Sequence, residues 1–109
     1  MTKVVYNACY GGFSISEACA RRMALLENNE AKDLLSDYEK EGNWFGYLYN
    51  TPRHDKILVQ AVEELGNAAN GECAVLEIAE IPDGLPYRID EYDGMESVET
   101  LDTYNWIIP

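Results

Sequence analysis

The sequence predicts one α+β domain in which a small, mostly antiparallel sheet packs against two or three helices. A short β-branched run at residues 3–7 predicts an N-terminal strand, and two alternating stretches late in the chain predict a C-terminal hairpin. Between them, apolar residues recur at helical spacing. With 109 residues, the chain has room for a single domain, 1–109, and not for two.

The first strand leads into a glycine-rich turn at residues 9–13 and then into a helix over residues 15–26. Ser14 followed by Glu17 fits a capping box at the start of this helix. Such a unit directs free backbone N–H groups and the positive end of a helix dipole to one spot, which suits a phosphate, a carboxylate or a thiolate. An equally simple interpretation is that Gly11 and Gly12 only make a tight connection.

The middle of the chain predicts two more helices. The second covers residues 30–41 and ends at Gly42, and the third begins after a turn with Asp55 or Thr51 as its cap. The aromatic segment between them, residues 43–50, fits either an edge strand or a packed loop. It could stack on bases, form a subunit interface or belong to the core.

Residues 73–81 and 86–92 alternate as strands do, and we expect them to pair as a hairpin across the turn at residues 82–84. Asp93-Gly94 is expected to end the second strand. The apolar ending, Trp106-Ile107-Ile108, could dock as a further strand or bind a neighbour.

Composition excludes several classes of protein. Twenty acids against eight bases give a formal charge of -12, so we expect no direct nucleic-acid binding through a basic face. The acids concentrate from residue 72 onward, which places any anion site in the first half of the chain. An acidic surface of this kind either keeps the protein soluble or imitates nucleic acid.

The three cysteines form no CxxC pair and the chain has one histidine, so no structural zinc, other metal or cofactor is expected. An odd cysteine count without a signal peptide indicates a cytoplasmic protein. No apolar run approaches the length of a membrane span.

Three constellations could carry chemistry. The first is an anion pocket in which the glycine turn supplies N–H groups, an aromatic side chain stacks on a base, and charge comes from Arg21, Arg22, Arg53 and Lys56. The second is nucleophilic catalysis by Cys9 with His54 as base and Asp55 or Asp93 orienting it. The third is a carboxylate group for magnesium, Glu91, Asp93 and Glu96, which is a weak signal because acids are abundant.

Three motifs in this order resemble a family of small, largely uncharacterised proteins from bacteriophages and bacterial genomes. The first is Cys9-Tyr10-Gly11-Gly12-Phe13 with Ser16, and the second runs from Arg53-His54-Asp55 to Leu65-Gly66. The third combines residues 78–83 with residues 89–94. Residues 28–50 and the ending at residues 106–109 have no counterpart in the resemblance.

The phage setting of this family implies a counter-defence role. We therefore expect a phage-encoded, non-enzymatic anti-defence protein in the host cytoplasm that sequesters a small phosphate-bearing ligand, a cyclic or ADP-ribose-type nucleotide, as a homo-oligomer. The cleft would lie between the glycine turn and residues 53–55. The expected ligand-binding residues are Tyr10, Gly11, Gly12, Phe13, Ser14, Arg21, Arg22, Arg53, His54, Asp55, Tyr92 and Asp93. The alternatives are an acidic protein-binding inhibitor that imitates nucleic acid and a small enzyme that uses Cys9.

Overall fold

A computed structural model describes residues 1–100 and confirms the α+β class. In chain order the elements are β1 (Thr2–Asn7), α1 (Glu17–Leu25), α2 (Asn29–Glu41), α3 (Lys56–Leu65), a 3-10 turn (Gly66–Ala69), β2 (Leu76–Ile81), β3 (Tyr87–Tyr92) and β4 (Met95–Thr100). The prediction for Trp106-Ile107-Ile108 lies outside the described residues.

The strands form two antiparallel pairs. β1 pairs with β2, so that Val5 lies opposite Ile78, and β3 pairs with β4. The predicted hairpin between β2 and β3 is therefore wrong. The hairpin turn is Asp93-Gly94, whose φ angles of 51° and 89° are both left-handed, as a tight two-residue connection between twisted strands requires. At the end of β2, Asp83 accepts a hydrogen bond from the Thr2 hydroxyl (2.8 Å), which fastens this strand to β1.

Helix α1 begins later than the capping-box prediction placed it. Its N-cap is Ser16, whose hydroxyl accepts a hydrogen bond from the Cys19 N–H (3.1 Å), so the predicted role of Ser14 in a capping box is wrong. The physical reason is Ile15, which is fully buried and extended, with its N–H donating to the Gly46 carbonyl (2.9 Å). The Ser14 hydroxyl instead donates to the Glu72 carbonyl (3.3 Å).

The other two helices begin at capping side chains. Asn28 caps α2, and Gly42 ends it at a φ of 77°. Asp55 caps α3 by accepting hydrogen bonds from the backbone N–H groups of Ile57 and Leu58 (3.0 and 3.1 Å), as one of the two predicted caps. The side chains of Asn28 and Asp55 thus accept from backbone N–H groups that the first turn of each helix leaves unpaired.

The aromatic segment, residues 43–50, is a loop and not a strand. The carboxylate of Glu30 holds its end by accepting hydrogen bonds from the backbone N–H groups of residues 49–51 (2.6–3.1 Å). Partial burial favours a higher pKa for Glu30, but these hydrogen bonds, together with the Thr51 side chain, outweigh it and leave that pKa below 4.5.

The core lies where the three helices meet β1. Its fully buried side chains come from the strand, the segment before α1 and the inward faces of α1 and α3; the largest are Ile15, Met23, Leu58, Val4 and Val5. Burial of this apolar surface is the main favourable contribution to folding. It also fixes the turn that follows β1 and the turn that precedes α3, where the candidate site residues lie.

Candidate functional site

The glycine turn packs tightly against two other loops. A Cβ atom added to Gly11 would lie 1.8 Å from the Cys73 carbonyl oxygen, and one added to Gly94 would lie 2.3 Å from the Tyr10 carbonyl oxygen. Only glycine allows such close backbone approach. The structure therefore brings the turn at residues 9–13 together with residue 73 and the β3–β4 hairpin turn.

Asn7, at the end of β1, connects these loops and was not identified from the sequence. Its side-chain amide is fully buried and donates to the carbonyls of Cys9 (2.7 Å) and Gly94 (2.8 Å), and its Oδ1 accepts from the Val75 N–H (2.9 Å). Its backbone N–H donates to the Glu96 carboxylate (2.9 Å). The sequence offered one signal for this role, an asparagine at the end of a buried strand. A buried side-chain amide needs several hydrogen-bond partners, so such a residue tends to connect neighbouring loops.

Arg53 lies beneath the glycine turn and is already paired. Its guanidinium donates to both carboxylate oxygens of Glu96 (2.6 and 2.9 Å) and its central carbon lies 3.6 Å from the centre of the Phe13 ring. The side chains of Arg53 and Glu96 are only 11% and 6% exposed. These three side chains occupy the place where the sequence predicted a cleft, so Arg53 holds the turn to β4 and offers no open fork to a phosphate.

The other two predicted arginines belong to ion pairs on the helix surface. Arg21 pairs with Glu17 one turn earlier (2.6 Å), and Arg22 pairs with Glu64 on α3 (2.9 Å). Hydrogen bonding to Glu64 raises the pKa of Arg22. Both pairs confirm the plainer interpretation of these bases as partners for abundant acids, and neither arginine is hydrogen-bonded to the glycine turn.

A groove beside His54 gathers a second set of polar groups. It has a volume of about 400 Å³ and is lined by the start of β1, the first turns of α3 and Asp83; its basic side chains are Lys3, His54 and Lys56. An adjoining cavity of about 400 Å³ shares Thr2 and His54 and has apolar walls from Ile81, Leu85 and Pro86. The two cavities together make an open, two-part groove with bases at one end.

The imidazole of His54 is oriented by Tyr87. Its Nδ1 lies 2.6 Å from the Tyr87 hydroxyl, and the two rings meet edge to face at 5.7 Å. Burial raises the pKa of Tyr87, which keeps the phenol protonated and able to donate to Nδ1. In the tautomer whose Nδ1 accepts from this phenol, Nε2 carries the ring proton and can donate to a ligand.

The two lysines of the groove differ in their ion pairing. Lys3 pairs with Glu63 (2.6 Å), and this contact raises the pKa of Lys3. Lys56 has no ion-pair partner within residues 1–100. Glu63 and Asp83 also line the groove, and Lys56 is its one lysine without an ion-pair partner within residues 1–100.

The residues for nucleophilic catalysis are not assembled. The Cys9 thiol donates to the Cys73 carbonyl (2.8 Å) and lies 3.4 Å from Asn7 Oδ1, whereas His54 contacts Tyr87. Of the carboxylates considered for magnesium, Glu96 is bound to Arg53. Within the described part of the chain, no group of three or more histidine, cysteine or acidic side chains could hold a metal ion.

The predicted site residues thus divide among several places. Tyr10, Gly11, Gly12 and Phe13 share the cluster beneath which Arg53 lies, and the turn that carries Tyr92 and Asp93 packs beside it. His54 belongs to the groove, Asp55 caps α3, Ser14 contacts Glu72, and the remaining two arginines lie on helix surfaces. Lys3 and Tyr87 could not be linked to His54 from the sequence, because both are far from it along the chain.

No helix within residues 1–100 combines the length and the apolar character needed to cross a bilayer. Comparison with known proteins adds no assignment: no protein-family model, curated protein or solved structure matches the chain significantly. The groove and the glycine-turn cluster therefore stand on their own geometry.

Proposed function

We propose that this protein binds a small phosphate-bearing, nucleotide-type signal in the groove beside His54 and withholds it from its receptor. The observation that carries the proposal is the placement of Lys3, His54 and Lys56 around one cavity of about 400 Å³. This volume lies within the range of small-molecule sites, roughly 300–1,000 Å³. The location differs from the cleft expected from the sequence, since Arg53 is occupied there.

The two parts of the groove suit the two parts of a nucleotide. Lys56 supplies positive charge and donors for a phosphate, and the His54 ring supplies a further donor in the tautomer that carries its proton on Nε2. The adjoining walls of Leu85, Pro86 and Tyr87 provide apolar surface for a base or ribose. The acid excess elsewhere on the chain opposes binding of long polyanions, so a small ligand is favoured over nucleic acid.

Sequestration requires tight binding and no turnover. The Cys9 thiol lies in the glycine-turn cluster, hydrogen-bonded to a backbone carbonyl, and takes no part in the groove. The three motifs that resemble small phage proteins supply the biological setting, in which the protein would act in the host cytoplasm as an anti-defence factor. We include a homo-oligomeric assembly in this proposal, because oligomerisation supports small domains with limited cores.

A binding titration tests the proposed site. ADP-ribose and cyclic AMP serve as probes in isothermal calorimetry, with Lys56→Gln and His54→Gln as site variants. Loss of one charged hydrogen bond, roughly 1.5–3 kcal/mol, predicts at least tenfold weaker binding of the preferred probe. Lys40→Gln, an exposed lysine on α2, is the matched control and should bind as the wild type does.

Two outcomes would count against the proposal. Equal binding by wild type, Lys56→Gln and His54→Gln would remove the ligand from the groove. Recovery of a cleaved probe after incubation would show turnover instead of sequestration.

A second candidate function, protein-binding inhibition by nucleic-acid mimicry, is supported by the β3–β4 hairpin. Asp90, Glu91 and Asp93 are all exposed there, and Tyr92 between them is 79% exposed. An acidic surface around an aromatic side chain complements a basic cleft. Capture of a host DNA-binding enzyme that falls steeply with salt, and is lost on Asp90→Asn/Glu91→Gln/Asp93→Asn, would favour this candidate.

A further inference from the structure

We propose that a cleft in the aromatic segment is a binding site for a small alkylated ammonium cation of choline size. The cleft has a volume of about 530 Å³ and is lined by Ser14, Asn43, Trp44, Phe45, Gly46, Tyr47 and Glu72. Among residues 1–100, three aromatic residues and one acidic residue line it, and no lysine, arginine or histidine does. This site is separate from the groove of the proposed function and takes a ligand of opposite charge.

The aromatic walls are held in place before any ligand arrives. The indole of Trp44 donates to the Ile15 carbonyl (3.0 Å) and meets the Tyr38 ring edge to face at 5.5 Å. Gly46 makes this possible, because a Cβ atom there would lie 2.0 Å from the Ile15 carbonyl oxygen and 3.0 Å from the indole nitrogen. Because the indole is already ordered, binding of a ligand against it costs less side-chain conformational entropy.

Tyr47 forms the second fixed wall. Its ring packs edge to face on the buried Phe13 (6.1 Å between ring centres) and lies 4.6 Å from the Tyr49 ring centre. Phe45, by contrast, is 64% exposed at the rim. Phe45 and Tyr47, which is 43% exposed, therefore both present ring surface to solvent at the cleft.

The charge of the cleft selects a cation. Glu72 is the one ionisable lining residue apart from the tyrosine, is exposed, and has no ion-pair partner within residues 1–100. Its backbone is fixed by the Ser14 hydroxyl (3.3 Å), and the Gly71 N–H donates to the Ser14 carbonyl (3.0 Å). Aromatic faces attract cations through their quadrupole and favour alkylated ammonium groups, which lose little hydration on entering such a cage.

A titration with a charged and a neutral probe tests the proposal. In Trp106→Phe protein, the single remaining indole N–H signal in a proton–nitrogen NMR spectrum belongs to Trp44. Choline should shift this signal saturably, whereas 3,3-dimethyl-1-butanol, its neutral isostere, should bind at least fivefold more weakly. Equal binding of the two probes would reduce the site to an apolar pocket and overturn the proposal, as would the absence of a saturable shift.

Two variants assign the binding to the cleft. Phe45→Leu keeps an apolar side chain but removes a π-face, and Glu72→Gln removes the carboxylate charge; each should weaken choline binding several-fold. Both residues are exposed, so neither change threatens the fold. Leu25→Ala removes an exposed apolar side chain of α1, outside the cleft, and should leave binding unchanged. Unchanged affinity in both cleft variants would refute the assignment.

Discussion

The buried ion pair between Arg53 and Glu96 offers the sharpest stability prediction. Glu96→Gln retains an oxygen that can accept from the Asn7 N–H but removes the charge that neutralises the guanidinium. Because the two side chains are 11% and 6% exposed, water cannot replace the lost partner. Breaking such a pair costs roughly 3–5 kcal/mol, and retention of the amide oxygen places our expectation near the lower end, about 3 kcal/mol.

The measurement is urea unfolding followed by circular dichroism, with the free energy of unfolding obtained by linear extrapolation. Glu27→Gln is the matched control, since it makes the same change in an exposed pair with Lys32 and should leave the free energy of unfolding nearly unchanged. Adding 0.5 M salt should weaken the exposed pair more than the buried one.

A double-mutant cycle separates the charge interaction from packing. Arg53→Met keeps an aliphatic chain over the Phe13 ring and removes the cation. Combined with Glu96→Gln, it should cost less than the sum of the single changes by at least about 1 kcal/mol. If Glu96→Gln is no more destabilising than Glu27→Gln, Arg53 is not held as described and regains its place as a candidate phosphate ligand.

Three further predictions concern single residues. The pKa of Glu30 is lowered in the folded chain, so its charge stabilises the fold above pH 4.5, and this contribution is lost as the pH falls further. Glu30→Gln should therefore unfold at lower urea concentration at pH 7. Its urea midpoint should also fall less steeply than that of the wild type between pH 7 and pH 3. Gly11→Ala should cost roughly 1–3 kcal/mol in the same unfolding assay, because its Cβ would lie 1.8 Å from the Cys73 carbonyl oxygen; a free energy of unfolding equal to that of the wild type would contradict the packing described. Iodoacetamide should label the exposed Cys73 first and Cys19 last, since burial raises the pKa of Cys19 to about 12; peptide mapping that finds Cys9 fastest would revive the nucleophile hypothesis.

Much of the fold follows from local patterns in the sequence. Apolar periodicity and capping chemistry predicted the α+β class, three helices, the end of α2 at Gly42, and Asp55 as one of two possible caps of α3. These features depend on residues close together in the chain. Apolar periodicity did not, however, determine where α1 begins. Burial of Ile15 keeps the chain extended as far as Ser16.

Strand pairing was the part that local patterns did not determine. Proline and glycine at residues 82–84 suggested a hairpin, but Asp93-Gly94 is the stronger two-residue turn and joins β3 to β4. β2 is then free to pair with β1, more than 60 residues away in sequence, and buried Val4 and Val5 favour that arrangement. A separate long-range contact, in which the Val5 N–H donates to the Arg53 carbonyl (2.9 Å), holds β1 beside the turn that carries His54 and so brings Lys3 to the groove.

The candidate site was only partly predictable for the same reason. The sequence identified the glycine turn, Arg53 and His54, but not that Glu96 neutralises Arg53 or that Tyr87 orients His54. Each of these partners is more than 30 residues distant, and acids are so numerous that no spacing singles out Glu96. Only the folded chain shows that Arg53 is paired with Glu96 and that Lys56 has no ion-pair partner within residues 1–100.

The most direct test of sequestration is native mass spectrometry of the protein purified from cells in which nucleotide immune signalling is active. We expect an assembly that, on denaturation, releases an intact nucleotide in fixed ratio to the chain, and loses it in Lys56→Gln. The same spectrum reports the number of chains in the assembly. A wild-type protein that carries no small molecule, or that carries one unaffected by changes at His54 and Lys56, would contradict the account.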